Sequence, residues 1–259
     1  MLLLFLFIFG LAIGSFLNVL IDRLPNEESI VFPPSHCDYC KKPLAWYDLI
    51  PVLSFITLGG RCRYCHKSLS VQYPIVELIT AMLFVLTFVT SPFTLSAFFA
   101  MDILSLGFYF FIMASFIVIF FADLKYGIIP DKIVFPAILL TILFQIVFQP
   151  ELFSNHTFSG IGALIFFLAI FLFTRGRGMG FGDVKLSFLL GLIFGFPNIV
   201  FVLYIAFLTG AFFSIILIIL QRKRLKETIP FGPFLILGAL LVFFLQEKIS
   251  LWILPIFTL

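Results

Sequence analysis

Long runs of apolar residues alternate along the chain with short polar breaks, and only one polar stretch, residues 22–73, is longer than a loop. A membrane span needs about 20 apolar residues, somewhat fewer where its ends snorkel or the bilayer thins. That ruler predicts eight helices, at 2–21, 74–91, 97–122, 132–149, 158–174, 184–196, 198–220 and 231–246. The sixth is short. Residues 184–220 would read as one long helix without Gly195, Phe196, Pro197 and Asn198, which predict a tight turn. The apolar tail 249–259 contains Pro255, is too short to span, and is expected at the interface.

Composition agrees with the pattern and removes the soluble alternative. Hydrophobic residues make up 62% of the chain, charged residues only 11%, and there are 39 phenylalanines. An ordinary soluble domain has no core large enough for that content. The fold class is therefore an all-α polytopic membrane protein with about eight transmembrane helices. The net charge of +3 is small, and no nucleic-acid partner is expected. Residues 1–21 carry no charge, lack a basic leader and show no small-residue cleavage site, so they read as a permanent first span. Gly10 and Gly14 sit there at a spacing that lets a second helix pack closely, although glycines are also simply tolerated in membrane helices.

Lys and Arg in short loops are retained on the cytoplasmic side. With the amino terminus outside, the inner segments are 22–73, 123–131, 175–183 and 221–230, and all of the 16 basic residues but Lys248 lie in them or their flanking span ends. The opposite orientation reverses that bias. Asp123 then falls at the inner end of the third span, Asp183 at the inner start of the sixth, and Asp131 at the start of the fourth.

The long inner loop holds all four cysteines, as Cys37-x2-Cys40 and Cys62-x2-Cys65, with twenty-one residues between the pairs. Each short turn offers two sulfurs to one ion, which is the pattern of a tetrahedral thiolate site. A cytoplasmic location disfavours stable disulfides and favours zinc, against reduced thiols or a redox pair. Four thiolates leave no open position, so such a zinc folds the loop and does no chemistry. His36 and His66 neighbour the cysteines without being needed as ligands. Lys41, Lys42, Arg61, Arg63 and Lys67 either meet anionic membrane lipids or keep the loop soluble, and the second reading is favoured.

Asp123 and Asp183 are two of only 13 acidic residues, and ionisable groups at a bilayer boundary usually pair or line a polar cavity. Asp183 ends the run Gly180-Phe181-Gly182-Asp183, whose glycines permit close backbone approach. Two carboxylates brought together share a proton and leave one base and one acid, which is aspartic-protease chemistry. The competing reading is helix capping, for Asp183 before the sixth span and for Asp131 after Pro130. Asp123 resists it, because an acid at a helix carboxyl end opposes the dipole. Glu77, Asn18 and Lys185 also lie at inner span ends, either orienting a ligand or snorkelling and capping.

Together these residues resemble the bacterial type IV prepilin peptidases over nearly the whole length. The resemblance runs through Gly14-Ser15-Phe16-Leu17-Asn18-Val19, Arg23-Leu24-Pro25, and Trp46 to Ser54. It continues through Gly60-Arg61-Cys62-Arg63-Tyr64-Cys65, Tyr73-Pro74-Ile75-Val76-Glu77, Asp123, Ile129-Pro130-Asp131 and Gly180 to Lys185, departing around Ser35 and His36. The resemblance implies that Asp123 and Asp183 are catalytic within a GxGD motif formed with Gly180 and Gly182, and that Cys37, Cys40, Cys62 and Cys65 bind zinc. It implies an inner-membrane aspartyl endopeptidase that removes the leader of prepilins or pseudopilins of pilus, type II secretion or competence systems. It also implies S-adenosylmethionine-dependent N-methylation of the new amino terminus, for which the sequence shows no glycine-rich cofactor fingerprint. The expected domains are a first helix at 1–21, a methyltransferase-associated zinc loop at 22–73 and a peptidase bundle at 74–259. Two other classes remain as alternatives: a non-catalytic assembly factor docking partners through its zinc loop, and a proton-coupled transporter using Asp102, Asp123 and Asp183.

Overall fold

A computed structural model describes residues 1–90, 100–176, 178–220 and 229–257, without the side chains of 100–102 and 246–257. The chain divides into two units, Met1–Val118 and Ile119–Leu259. Helices account for the architecture, and the described residues contain no strand beyond two isolated bridges. In chain order they are α1 (Leu2–Arg23), a single 3-10 turn at Trp46–Leu49, α2 (Leu53–Thr57), α3 (Gln72–Thr90) and α4 (Ala100–Tyr126). There follow α5 (Asp131–Phe148), α6 (Phe153–Phe173), α7 (Phe181–Phe194), α8 (Asn198–Ile219) and α9 (Gly232–Phe257).

Each apolar run expected to span has become a helix. Six of them, α1, α3, α4, α5, α6 and α8, are long and apolar enough to cross a membrane. The two shorter ones are α7, of 14 residues, and the apolar stretch Gly232–Leu245 of α9. The expected turn between the sixth and seventh runs is present, with Gly195 at φ 63° ending α7. The tail expected as a separate interfacial segment instead continues α9 to Phe257, since no glycine or proline interrupts the helix between Gly238 and Pro255. The start of the third expected span, 97–99, and the side chains of Asp102 and Lys248 lie outside the described residues.

In the first unit α1 packs along α3. A Cβ on Gly10 would stand 2.5 Å from the Ala81 Cα, and one on Gly14 would stand 2.6 Å from the Glu77 Cα. The two glycines are thus contact points at which backbones approach, and not merely tolerated residues. Arg23, buried at the end of α1, donates from its guanidinium to the Ser29 carbonyl at 2.9 Å and the Pro33 carbonyl at 2.8 Å, which fixes the first bend of the loop.

In the second unit α7 is the central helix, with buried residues on every side of its axis, including Leu186, Leu189, Leu190 and Leu192. Its shortness follows from this position, because lipid need not match it on all faces. It crosses α6 where a Cβ on Gly191 would stand 2.5 Å from the Gly160 Cα. At its far end the Gln145 side-chain amide and His156 both meet the Leu192 carbonyl, which a helix end would otherwise leave bare. Asn155 holds the following turn through the Phe196 N–H at 2.7 Å and the Phe196 carbonyl at 3.2 Å.

Candidate active site and metal centre

The cysteine loop folds as two copies of one knuckle. In the first, the Cys37 N–H donates to Lys42 at 3.1 Å, Lys41 donates back to the Cys37 carbonyl at 2.8 Å, and Leu44 donates to Ser35 at 2.8 Å. In the second, Cys62 donates to Lys67 at 2.9 Å, His66 to Cys62 at 3.0 Å and Leu69 to Gly60 at 2.8 Å. Bridges His36 to Pro43 and Arg61 to Ser68 close the two, and Lys41 and His66 take the same left-handed turn at φ 56° and 57°. The knuckles bring the four sulfurs to within 4.8 Å of one another, with no disulfide among them.

That spacing suits one tetrahedral ion, since thiolates ~2.3 Å from a common metal stand ~3.8 Å apart, and Cys37 Sγ lies 3.8 Å from Cys65 Sγ. Backbone N–H groups of Cys65 and Tyr64 draw the Cys62 thiol down to about 7 against its burial. Cys65, despite the Lys67 N–H that lowers it, is pushed up to about 11 by burial and by sharing protons with the other three sulfurs, so that a bound cation is what would make all four thiolates. Neither histidine contributes to the cluster; His36 Nδ1 lies 3.0 Å from the Pro34 carbonyl.

The carboxylates belong to the second unit and are both buried, Asp123 at 5% exposure and Asp183 at 6%. Asp123 occupies the last full turn of α4, where the helix dipole opposes it. Its compensation comes from far along the chain: the Gly232 N–H donates to Asp123 Oδ2 at 2.9 Å. Asp183 lies in the first turn of α7, the favourable end, and its Oδ2 accepts the N–H of Gly180, the N-cap, at 3.2 Å, the acid's half of a capping box whose other half glycine has no side chain to make. Asp183 is therefore not the N-cap expected ahead of the helix but its third residue, with one oxygen turned back to the N-cap N–H. The other, Oδ1, is buried without a hydrogen-bond partner.

The two buried acids are joined through their neighbouring glycines. Between their supports lies Ile129, whose side chain would stand 3.0 Å from a Cβ on Gly182 and 3.2 Å from one on Gly232. A Cβ on Gly232 would also come within 2.6 Å of Asp123 Oδ2. A side chain at Gly232 would thus displace the Asp123 carboxylate, and one at Gly182 would need Ile129 to give by a few tenths of an ångström. Phe231, with its ring 5.0 Å from Phe207 and 6.2 Å from Phe167, anchors the turn that presents the Gly232 N–H.

Asp131 corrects the capping expectation made for it. It opens α5 without a side-chain cap bond and pairs instead with Lys185 of α7, whose ammonium also lies over the rings of Phe181 and Phe135. A cation, Lys185, already stands two residues beyond Asp183, and Asp131 gains more from it than from free helix N–H groups that water can serve. Gly232 is the site residue that sequence reasoning missed. Its signal is the run Pro230-Phe231-Gly232-Pro233, a rigid turn at a helix start with one glycine at its centre.

Comparison with known proteins places the chain in a family. Residues 8–91 match the bacterial peptidase A24 N-terminal domain and residues 110–215 match the type IV leader peptidase family. The chain is 32% identical to a prepilin leader peptidase/N-methyltransferase of Aeromonas hydrophila, the match covering 97% of this chain and 93% of the relative. It is 29% identical to a protein of that name from Bacillus subtilis, over 94% of each chain. With the Myxococcus xanthus protein it shares 33% identity over 86% of this chain and 65% of that one. No solved structure matches. On sequence, membrane architecture and the arrangement of its acids and cysteines, the chain belongs to the type IV leader peptidase family.

Proposed function

We propose that the protein is an aspartyl endopeptidase that removes the leader of type IV prepilin-like precursors, prepilins or pseudopilins, at the inner-membrane boundary, and then methylates the new amino terminus. The observation that carries the peptidase half is the pair of buried carboxylates whose neighbouring glycines, Gly182 and Gly232, both meet Ile129, one acid having an oxygen that no protein group satisfies. Asp183 Oδ1 is the atom left to meet a water or the scissile carbonyl. One carboxylate takes a proton from water as the oxygen bonds to the carbonyl carbon. The other gives a proton to the carbonyl oxygen, and collapse of the tetrahedral intermediate releases the amine, which takes up the remaining proton. The glycine preceding the cut in such precursors admits backbone to a site already crowded by Ile129 and two glycine supports.

Topology supports the same reading. With the amino terminus outside, the basic segments and both acids fall on the cytoplasmic side, where a prepilin presents its basic leader. In the domain arrangement that goes with this reading, the methyltransferase-associated loop occupies 22–73 and holds a structural zinc on Cys37, Cys40, Cys62 and Cys65. The methyl donor, S-adenosylmethionine, enters through the names of the relatives, and no residue here is assigned to it.

The test is incubation of the purified protein with a prepilin-type precursor and S-adenosylmethionine, followed by mass analysis of the product. Cleavage after the glycine with addition of one methyl group supports both halves. Cleavage without the methyl group removes the second, and an intact precursor removes the first and returns weight to an assembly role.

A further inference from the structure

The loop of the first unit exposes large apolar side chains in a stretch that its sequence marks as polar. Trp46 is 77% exposed, Leu53 61% and Ile56 66%. Leu53 and Ile56, three residues apart on α2, share one face. Scattered apolar exposure on a solvated loop is unremarkable by itself. The depth of this segment changes its meaning.

Glu77 is buried in the second turn of α3, and its Oε2 accepts the Val52 N–H at 2.8 Å. The α1 backbone just before Ser15 packs on the same residue, since a Cβ on Gly14 would stand 2.6 Å from the Glu77 Cα. Nearby, the Asn18 side-chain amide donates to the Tyr73 carbonyl at 3.1 Å, so α1 and α3 are tied at one level. Ser15 precedes Asp22, the first charged residue of the chain, by seven positions. At 1.5 Å per residue that is a rise of ~10 Å along α1. Val52 is therefore held about two turns inside the charged end of a span, level with its apolar part.

The backbone at Val52 adds to this. It stands at φ 61°, ψ −48°, with the Leu53 N–H closing a tight turn onto the Pro51 carbonyl at 2.6 Å. A β-branched residue takes this left-handed conformation only where its surroundings impose it. Lipid demands that backbone polar groups be satisfied internally, and the segment meets that demand. Ser54 donates to Ile50 at 3.1 Å, Ile56 to Val52 at 3.0 Å, Leu58 to Ser54 at 3.0 Å and Gly60 to Phe55 at 2.8 Å, while the Thr57 hydroxyl caps the Leu53 carbonyl at 2.9 Å.

Charge completes the match. The stretch 36–71 carries Lys41, Lys42, Arg61, Arg63 and Lys67 against Asp38 and Asp48. Arg63 pairs with Asp48 at 2.6 Å and lies over the Tyr47 ring at 4.9 Å, beside Trp46. Tryptophan, tyrosine and basic side chains together are the composition of a membrane–water interface.

We propose that residues 46–57 form an interfacial anchor, with Leu53 and Ile56 inserted at the acyl boundary of the leaflet from which the loop hangs. Trp46 lies at headgroup level, and the knuckle lysines and arginines meet anionic lipid phosphates. The anchor rests on α1 and α3 as membrane spans and is independent of the cleavage chemistry.

The chain has two tryptophans, Trp46 and Trp252, so Trp252→Phe isolates the fluorescence of Trp46 with every anchor residue native. A second protein, Ile56→Trp with Trp46→Phe and Trp252→Phe, places an indole on α2. Both are reconstituted into anionic phospholipid vesicles whose acyl chains are brominated near the headgroup. The expected result is strong bromine quenching of the α2 indole with severalfold protection from aqueous iodide, and weaker effects of the same sign at Trp46. Free iodide access without bromine quenching in either protein overturns the anchor, and so does protection from both quenchers, which would mean that protein covers the face. Replacing the anionic lipid by a zwitterionic one should raise iodide access to Trp46; unchanged access removes the phosphate contacts from the proposal.

Discussion

The cysteine cluster and the carboxylate pair are both built from buried reactive groups on short turns, yet one closes and the other does not. In the loop, two copies of one knuckle, each held by the same three backbone hydrogen bonds, bring four sulfurs together. In the second unit, two acids receive one backbone N–H each, from Gly232 and Gly180, and Asp183 Oδ1 is left with none. A closed donor set organises a fold, whereas an unsatisfied one is available to a reacting molecule. The contrast is the reason we propose a structural role for the first region and a chemical one for the second.

The largest test of that division is removal of the metal. Cys62→Ser, or a strong chelator, is expected to cost the loop its metal-coupled folding free energy, on the order of 10 kcal/mol, while precursor cleavage persists. Zinc content and loop proteolysis measured beside cleavage check it, and parallel loss of cleavage at the first stage of metal release would blur the division. Next is Gly232→Ala, whose Cβ would crowd Asp123 Oδ2. Displacing a reacting group by about an ångström costs roughly 10²-fold in rate, so kcat should fall by that order with little change in KM.

A packing change in the first unit should act on stability alone. Gly14→Ala drives a methyl group towards the Glu77 Cα and should destabilise by ~1–3 kcal/mol, as overpacking does. Gly162→Ala, where a Cβ meets nothing within 4 Å, is the matched control, and thermal unfolding in detergent compares them. The smallest effect is expected from Lys185→Met. Its partner Asp131 is half exposed, so the ion pair contributes no more than ~1 kcal/mol, and cleavage should change little.

Much of this was legible in the chain because the signals were local. Apolar runs located every span-length helix, although α6 begins five residues before its expected start and α9 runs eleven past its expected end; Gly195 and Pro197 marked the break after α7, and the CxxC pairs announced the knuckles. The repeat of the knuckle itself is visible once Cys37 to Leu44 is laid over Cys62 to Leu69. What escaped was long-range. Gly232 lies 109 residues from Asp123 and carries no ionisable group, so nothing nearby ties the two together. Glu77 looks like any acid at a span end, and its role in holding Val52 needs a partner 25 residues away in a loop of no regular period. Asp131 was read by the preference of helix starts for acids, and tertiary pairing with Lys185 overrode that preference.

The most direct measurement is precursor cleavage by Asp123→Asn and Asp183→Asn, each purified with its metal content and thermal stability matched to the unaltered protein. General acid–base catalysis supplies about 10²–10⁴ in rate, and a loss of at least that size in both variants is the predicted result. Cleavage at the unaltered rate by either folded variant would contradict the assignment of the carboxylate pair as the reacting centre.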